Sequence, residues 1–204
     1  MSDVPYKVLG QCFGRGKFFL RYLAALASSR RIERLMPIVQ QVFHHDWVQG
    51  MRIEFLVQYG FTKEPGRCIS WDAPVALTIH GTKRGKKKPA LGMSLYVQGS
   101  TLYIQQLQGV AGIFIPLDLQ DWPIRFIEAC KVFARQEGYK AVMLPRAETL
   151  HSYRRPTVKS STDVPPQKLL QLRESMRLRY DVTALQLGFV PAKNWFVWKN
   201  NQLC

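Results

Sequence analysis

The sequence predicts an α+β fold: a mixed sheet in which an antiparallel meander leads into a parallel βαβ unit, preceded by a helical N-terminal extension. Three observations carry this. The hydrophobic period changes from helical to strand-like near Arg67. Residues 68–110 then hold strand-sized apolar runs separated by turn residues. Finally, Thr101–Pro145 reads as strand, loop, helix and strand, and two strands joined by one helix of this length should lie parallel, with a right-handed crossover. The expected division is a helical extension over residues 1–66 and an α/β domain over residues 67–204.

The extension is read from helical spacing. Lys17–Ser28 places Phe19, Leu20, Leu23 and Leu26 on one side, Arg30, Arg31 and Arg34 follow, and Pro37 permits a helix from Met36 to Phe43. Trp47–Tyr59 continues a helical pattern through Val48, Met51 and Phe55, ended by Gly60. Gly10–Lys17 resembles a phosphate loop in composition only. Its glycine spacing is wrong, Phe18 stands where Ser or Thr must hold magnesium, and no strand precedes it. His44 and His45 are adjacent, so on a helix they point about 100° apart and cannot clamp one metal. No metal site is predicted.

In the meander, Cys68–Ser70 is a short strand, Pro74–His80 a clearer one, Gly81–Pro89 a turn and Leu91–Val97 the returning strand. Gly99-Ser100 turns into the strand Thr101–Val110. Across Asp121–Gly138, Trp122, Phe126, Cys130 and Phe133 form one apolar stripe, while Arg125, Glu128, Lys131 and Arg135 take the other face. Asp121 suits the N-cap and Gly138 the left-handed position past the end. Lys140–Leu144 is the second strand of the parallel pair. Lys168–Leu187 is a helix whose buried stripe is Leu172, Met176, Tyr180, Ala184 and Leu187, ended by Gly188. Phe189–Asn194 and Trp195–Lys199 are the last strands, and Thr157–Pro166 is a surface loop.

Composition bounds the function. The chain has 204 residues, 47% of them apolar, and no apolar run reaches the eighteen or so of a membrane span. Its first residues carry no signal-peptide pattern. Four scattered cysteines fit free thiols in a reducing, cytoplasmic setting. The net charge is +15, which predicts contact with a polyanion, nucleic acid foremost. Lys83, Arg84, Lys86, Lys87 and Lys88 crowd the meander hairpin, and this run serves either as a solvated tip or as a finger against phosphates. Arg30, Arg31, Arg34, Arg154, Arg155, Arg173 and Arg177 would complete a nucleic-acid interface, with RNA and DNA both open. In a βαβ unit, ligands gather where the first strand ends and the helix begins, which here means Gln108–Gly112.

The order of elements resembles the GNAT superfamily of acyl-CoA-dependent N-acyltransferases over Cys68–Lys199. Two local features carry the likeness: Gln108-Gly-Val-Ala-Gly112 after the strand, and Ala184-Leu-Gln-Leu-Gly-Phe189 before the final strands. The resemblance implies that the strands around 102–110 and 140–144 splay apart. Acetyl-CoA, or another acyl-CoA, would then lie in the gap along Gln106, Leu107, Gln108, Gly109, Val110, Ala111 and Gly112. It also implies direct attack by a neutral amine, with a tyrosine protonating the leaving thiolate. The family's tyrosine position is Ala184 here. Tyr180, one turn earlier on the same face, either substitutes for it or is a buried aromatic. Gln105, Gln106 and Gln108 stand on the strand where the family places a carboxylate, so Glu148, His151 and His80 remain as base candidates. The glycines are three apart and Ile113–Leu119 intervenes before Trp122, unlike the family's tight loop. Leu107-Gln-Gly109 and Arg179-Tyr-Asp181 are also similar to elements of bacterial VirK/YbjX-type proteins, from which no residue role follows. The expected function is acyl transfer to an amine of, or on, a polyanion such as tRNA. The alternatives are an inactive nucleic-acid binder on the same scaffold and a subunit of a larger assembly, whether with a protein partner or as a homo-oligomer.

Overall fold

Apolar strand runs and one strongly amphipathic helix place the core between a mixed sheet and two packed helices. The structure, a computed structural model, describes residues 27, 30–44, 52–57, 73, 75–83, 86–109, 120–154 and 165–201. For residues 44, 52–57, 81–83, 86–89, 151 and 152 the description covers the backbone alone. The elements are α1 (Leu35–His44), β1 (Arg52–Val57), β2 (Val75–Lys83), β3 (Lys86–Gln98), β4 (Thr101–Gly109), α2 (Trp122–Gln136), β5 (Ala141–Pro145), a short α3 (His151–Arg154), α4 (Pro166–Arg177), a π-helical turn Leu178–Val182, α5 (Thr183–Gln186), β6 (Val190–Pro191) and β7 (Trp195–Lys199). The sheet order is β1-β2-β3-β4-β5-β7-β6. Only β4 and β5 pair in parallel; the other described pairings are antiparallel.

The α+β class, the antiparallel lead-in and the parallel pair joined by a helix are as expected. The expectation for Trp47–Tyr59 needs correction. Arg52–Val57 is a strand, paired antiparallel with β2 from Arg52↔His80 to Val57↔Val75. The helical spacing of Val48, Met51 and Phe55 competes with the alternation of Ile53, Phe55 and Val57, and the open edge of β2 decides between them. The hairpin is also tighter than the predicted turn Gly81–Pro89, for β2 and β3 stay paired out to Lys83↔Lys86. The predicted helix Lys17–Ser28 falls almost wholly outside the described residues, and the predicted strand Cys68–Ser70 falls entirely outside them.

Helix α2 buries the predicted stripe: Trp122, Phe126, Cys130 and Phe133 are all in the core. Leu35, Val39 and Phe43 of α1 meet it, with the Phe43 and Phe126 rings 4.8 Å apart. From the sheet, Met93, Leu95, Leu102, Ile104 and Val142 close the same core. Burial pushes the Cys130 thiol well above its usual pKa, so it stays a neutral hydrophobe near the Met93 sulfur.

The end of α2 is set by Gly138 at φ +71. Tyr139 N–H donates to the Ala134 carbonyl at 2.8 Å, and the Tyr139 ring packs on Phe133. These are the αL cap and its apolar contact. Gly188, at φ +76, ends the C-terminal helix in the same way, with Phe189 N–H on the Ala184 carbonyl at 3.0 Å. Two further expectations for α2 need correction. Asp121 occupies the N-cap position, but its carboxylate accepts from the Arg125 guanidinium rather than from a backbone N–H. Lys131, assigned to the outer face, is buried. Its ammonium donates to Glu128 at 2.7 Å and to the Leu187 carbonyl at 3.1 Å, and it lies over the Trp198 ring. A carbonyl left over at the far helix end supplies the partner that burial of a charge requires.

Candidate functional site

Strands β4 and β5 pair over Thr101↔Ala141, Leu102↔Val142 and Tyr103↔Met143, after which no parallel pairing continues although β4 runs to Gly109 and β5 to Pro145. The parting coincides with an irregularity in β4. Ser94 pairs with Gln106 but Leu95 pairs with Ile104, so Gln105 has no opposite number. A bulge of this kind bends the strand and turns its backbone groups outward.

The Leu107 backbone faces the space so opened and meets a side chain instead of a strand. The Tyr180 hydroxyl accepts from Leu107 N–H at 2.6 Å and donates to the Leu107 carbonyl at 2.9 Å. Tyr180 is 1% exposed. It sits in the π-helical turn Leu178–Val182, where Thr183 N–H reaches back to the Leu178 carbonyl. A π-turn is one extra residue in a helix, as a bulge is in a strand. The two insertions meet at this hydroxyl.

The neighbours of Tyr180 fasten the turn. Asp181 accepts from Ala147 N–H at 2.8 Å, tying the turn to the segment after β5. Arg179 is half-buried. Its guanidinium centre lies 5.4 Å from the Trp122 ring centroid, and its Nη1 reaches the Leu107 carbonyl at 3.5 Å. Burial pulls its pKa down from the ordinary arginine value, and the adjacent Tyr180 opposes this. Arg173 of α4 reaches the Tyr153 carbonyl and ring, which ties the helix to the segment beyond β5 a second time.

The predicted site residues fall into three groups. Gln106, Leu107, Gln108 and Gly109 lie on the part of β4 beyond the bulge, together with Tyr180; Val110, Ala111 and Gly112 lie outside the described residues. Glu148 is on the short 3₁₀ turn after β5, exposed, and paired with Arg146 at 3.2 Å. His151 opens α3 and is described by backbone alone. His80 is on β2 with its Nε2 3.1 Å from the Thr78 hydroxyl.

The basic residues form no single patch. Lys83, Lys86, Lys87 and Lys88 lie on the ends of β2 and β3, described by backbone alone, and Arg84 and Arg155 lie outside the described residues. Arg154 donates to the Glu148 carbonyl. Arg177 is exposed beside Glu174 at 3.4 Å. Arg30, Arg31 and Arg34 line a hollow of about 470 Å³ with the Gly99-Ser100 turn and the end of α2. Glu137 is the carboxylate in that hollow, and Arg34 holds it at 2.9 Å. Burial raises the Tyr139 phenol there, against the opposing pull of the Arg31 guanidinium.

Sequence reasoning missed Arg179 and Asp181. The available signal was the triplet Arg179-Tyr-Asp181, in which three chemically distinct side chains adjoin on a helix and so point three ways. Among the described residues, no group of three His, Cys, Asp or Glu side chains stands ready to hold a metal. No described helix is long and apolar enough to cross a membrane. A scan against protein-family models finds none that matches the chain, and a search of curated proteins returns no match.

Proposed function

We propose that the chain is an acyl-CoA-dependent N-acyltransferase acting on an amine of, or associated with, a polyanion such as tRNA, in a cytoplasmic setting. One observation carries the reading. The parallel pair parts after Tyr103↔Met143, and beyond it a donor and an acceptor on Leu107 are held by a hydroxyl rather than by a strand. An amide-bearing ligand laid along β4 can make those same two bonds. Acyl-CoA supplies such amides together with a thioester.

Within this reading, Leu107 N–H is the donor for a carbonyl oxygen that gains charge. Tyr180 Oη holds the proton that a leaving thiolate takes. The bond from amine nitrogen to carbonyl carbon forms, the carbon–sulfur bond breaks, and the proton of the amine passes to solvent or to a base. Glu148 and His151, just past β5, are the candidates for that base. Gln106 and Gln108 bind and orient, because amides do not abstract protons.

The test is isothermal titration with acetyl-CoA and CoA after nucleic acid has been cleared by high salt. Micromolar binding that disappears when Gly112 is replaced by tryptophan supports the reading. No binding at millimolar cofactor overturns it. A second reading, a nucleic-acid-binding protein without chemistry, is favoured by the arginine hollow and by the lack of a carboxylate on β4. It predicts salt-dependent RNA or DNA binding in a protein that ignores acetyl-CoA.

A further inference from the structure

The sheet has a second face, opposite α2, and its composition is unlike a packing surface. Even-numbered residues of β3 point there, and near the bulge they are small: Gly92 and Ser94, both buried. Ala76 lies beside Ser94, and Thr78 beside Gly92, each 0% exposed. On the other side of β3, Gln106 pairs with Ser94 and Gln108 with Gly92. Small residues make a floor, and hydroxyls and amides make its walls.

Two oxygens in this groove have no partner. Ser94 Oγ and Gln106 Oε1 are both shut off from water, on residues directly opposite one another in the β3–β4 ladder, and neither makes a hydrogen bond. Gln106 spends its amide N–H on Gln108 Oε1 at 3.1 Å, which leaves its oxygen as an acceptor. Leaving such atoms unmatched costs about 1–3 kcal/mol each. A group that donates two hydrogen bonds matches the pair.

The next register pair along the same face is Tyr96↔Tyr103. Their rings stack at 4.6 Å and 4°, and the Trp195 ring meets Tyr103 edge-on at 5.5 Å. All three are half-buried. A row of aromatic rings beside hydrogen-bonding amides is the combination that reads unpaired bases. Among the described residues this stretch carries no carboxylate, so it has nothing to neutralise an ammonium ion. An uncharged amino group fits it better, and the net charge of +15 draws in the polyanion that bears one.

We infer that this face binds single-stranded nucleic acid and takes the exocyclic amino group of a nucleobase between Ser94 Oγ and Gln106 Oε1. That the same amino group is the acyl acceptor rests on the function proposed above; that it binds does not.

The experiment compares the full chain binding short oligocytidine against oligouridine, and oligoadenosine against the matched purine oligomer lacking the amino group, at one fixed salt concentration and without acyl-CoA. The amino-bearing member of each pair should bind about tenfold tighter, the discrimination typical of one good base-edge contact. The preference should vanish in Ser94→Ala and in Gln106→Leu, while oligouridine binding stays unchanged as the control that both variants remain folded. Equal affinity within both pairs, a preference that survives both substitutions, or no binding of any oligomer overturns the inference. A protein that passes this test yet ignores acetyl-CoA has lost only the acyl-transfer reading.

Discussion

Two helices flank the same sheet and end in the same way, yet they do different work. Helix α2 is regular from Trp122 to Gln136 and buries an unbroken apolar stripe. The C-terminal helical stretch, Pro166–Gln186, buries Met176, Tyr180 and Ala184 and leaves Leu170, Leu172, Leu178 and Leu185 exposed. It is also interrupted by a π-turn at the one place where its tyrosine reaches β4. So α2 is held by apolar burial along its whole length, whereas the C-terminal stretch is held at points: Tyr180 on Leu107, Asp181 on Ala147 and Arg173 on Tyr153. A helix fixed by a few polar contacts can be shifted by one of them. A helix fixed by its whole face cannot.

The largest expected effect tests the apolar half of that contrast. Phe126→Ala removes a ring that meets both Phe43 and Trp122 in the core, and it should cost about 3–5 kcal/mol. Leu172→Ala, at a 42% exposed position of α4, should stay within about 0.5 kcal/mol. Urea unfolding of the two variants checks this. Similar losses would mean that the C-terminal stretch is buried as deeply as α2 and that the contrast fails.

Tyr180→Phe tests the polar half and should come next in size. It leaves the ring and removes the hydroxyl, so Leu107 loses a partner for both N–H and carbonyl in a buried place. The expected loss is about 1–3 kcal/mol, with hydrogen exchange at the Leu107 amide accelerated well beyond that at Leu102. Unchanged exchange at Leu107 would show that the hydroxyl does not hold the parted strand. In an active enzyme the same variant should lower kcat more than it changes KM, because the proton it removes is needed only as the thiolate leaves.

The contrast also explains which parts were legible in the sequence. The β4–α2–β5 unit follows from periodicity and a glycine cap, which are local signals, and the structure has it almost to the residue. Arg52–Val57 was ambiguous because its residues fit both periods, and a strand far along the chain settles the matter. Lys131 reads as solvent-facing from the helical wheel. Only the Leu187 carbonyl and Trp198, both from the C-terminal end, make its burial tolerable. Tyr180 is visible as a member of an apolar stripe, but nothing local reports that its hydroxyl ends on Leu107. The π-turn, the bulge at Gln105 and the unmatched pair Ser94 and Gln106 are products of strand and helix meeting in space. The candidate site is built from these features, so it was legible as a region and not as a geometry.

The smallest effect sharpens the comparison by asking whether the helix ends differ as their interiors do. Gly138 and Gly188 both have positive φ, and a Cβ built on either meets nothing within 4 Å. Alanine at either position is therefore penalised by backbone conformation alone, about 1 kcal/mol once the smaller entropy of the unfolded alanine chain is counted. Gly138→Ala and Gly188→Ala should lower stability by the same amount in thermal unfolding. Equal losses place the whole difference between the helices in their interiors. A clearly larger loss at Gly188 would mean that its cap also holds the Leu187 carbonyl in place for Lys131, so that the end of the C-terminal stretch is one of its points of attachment.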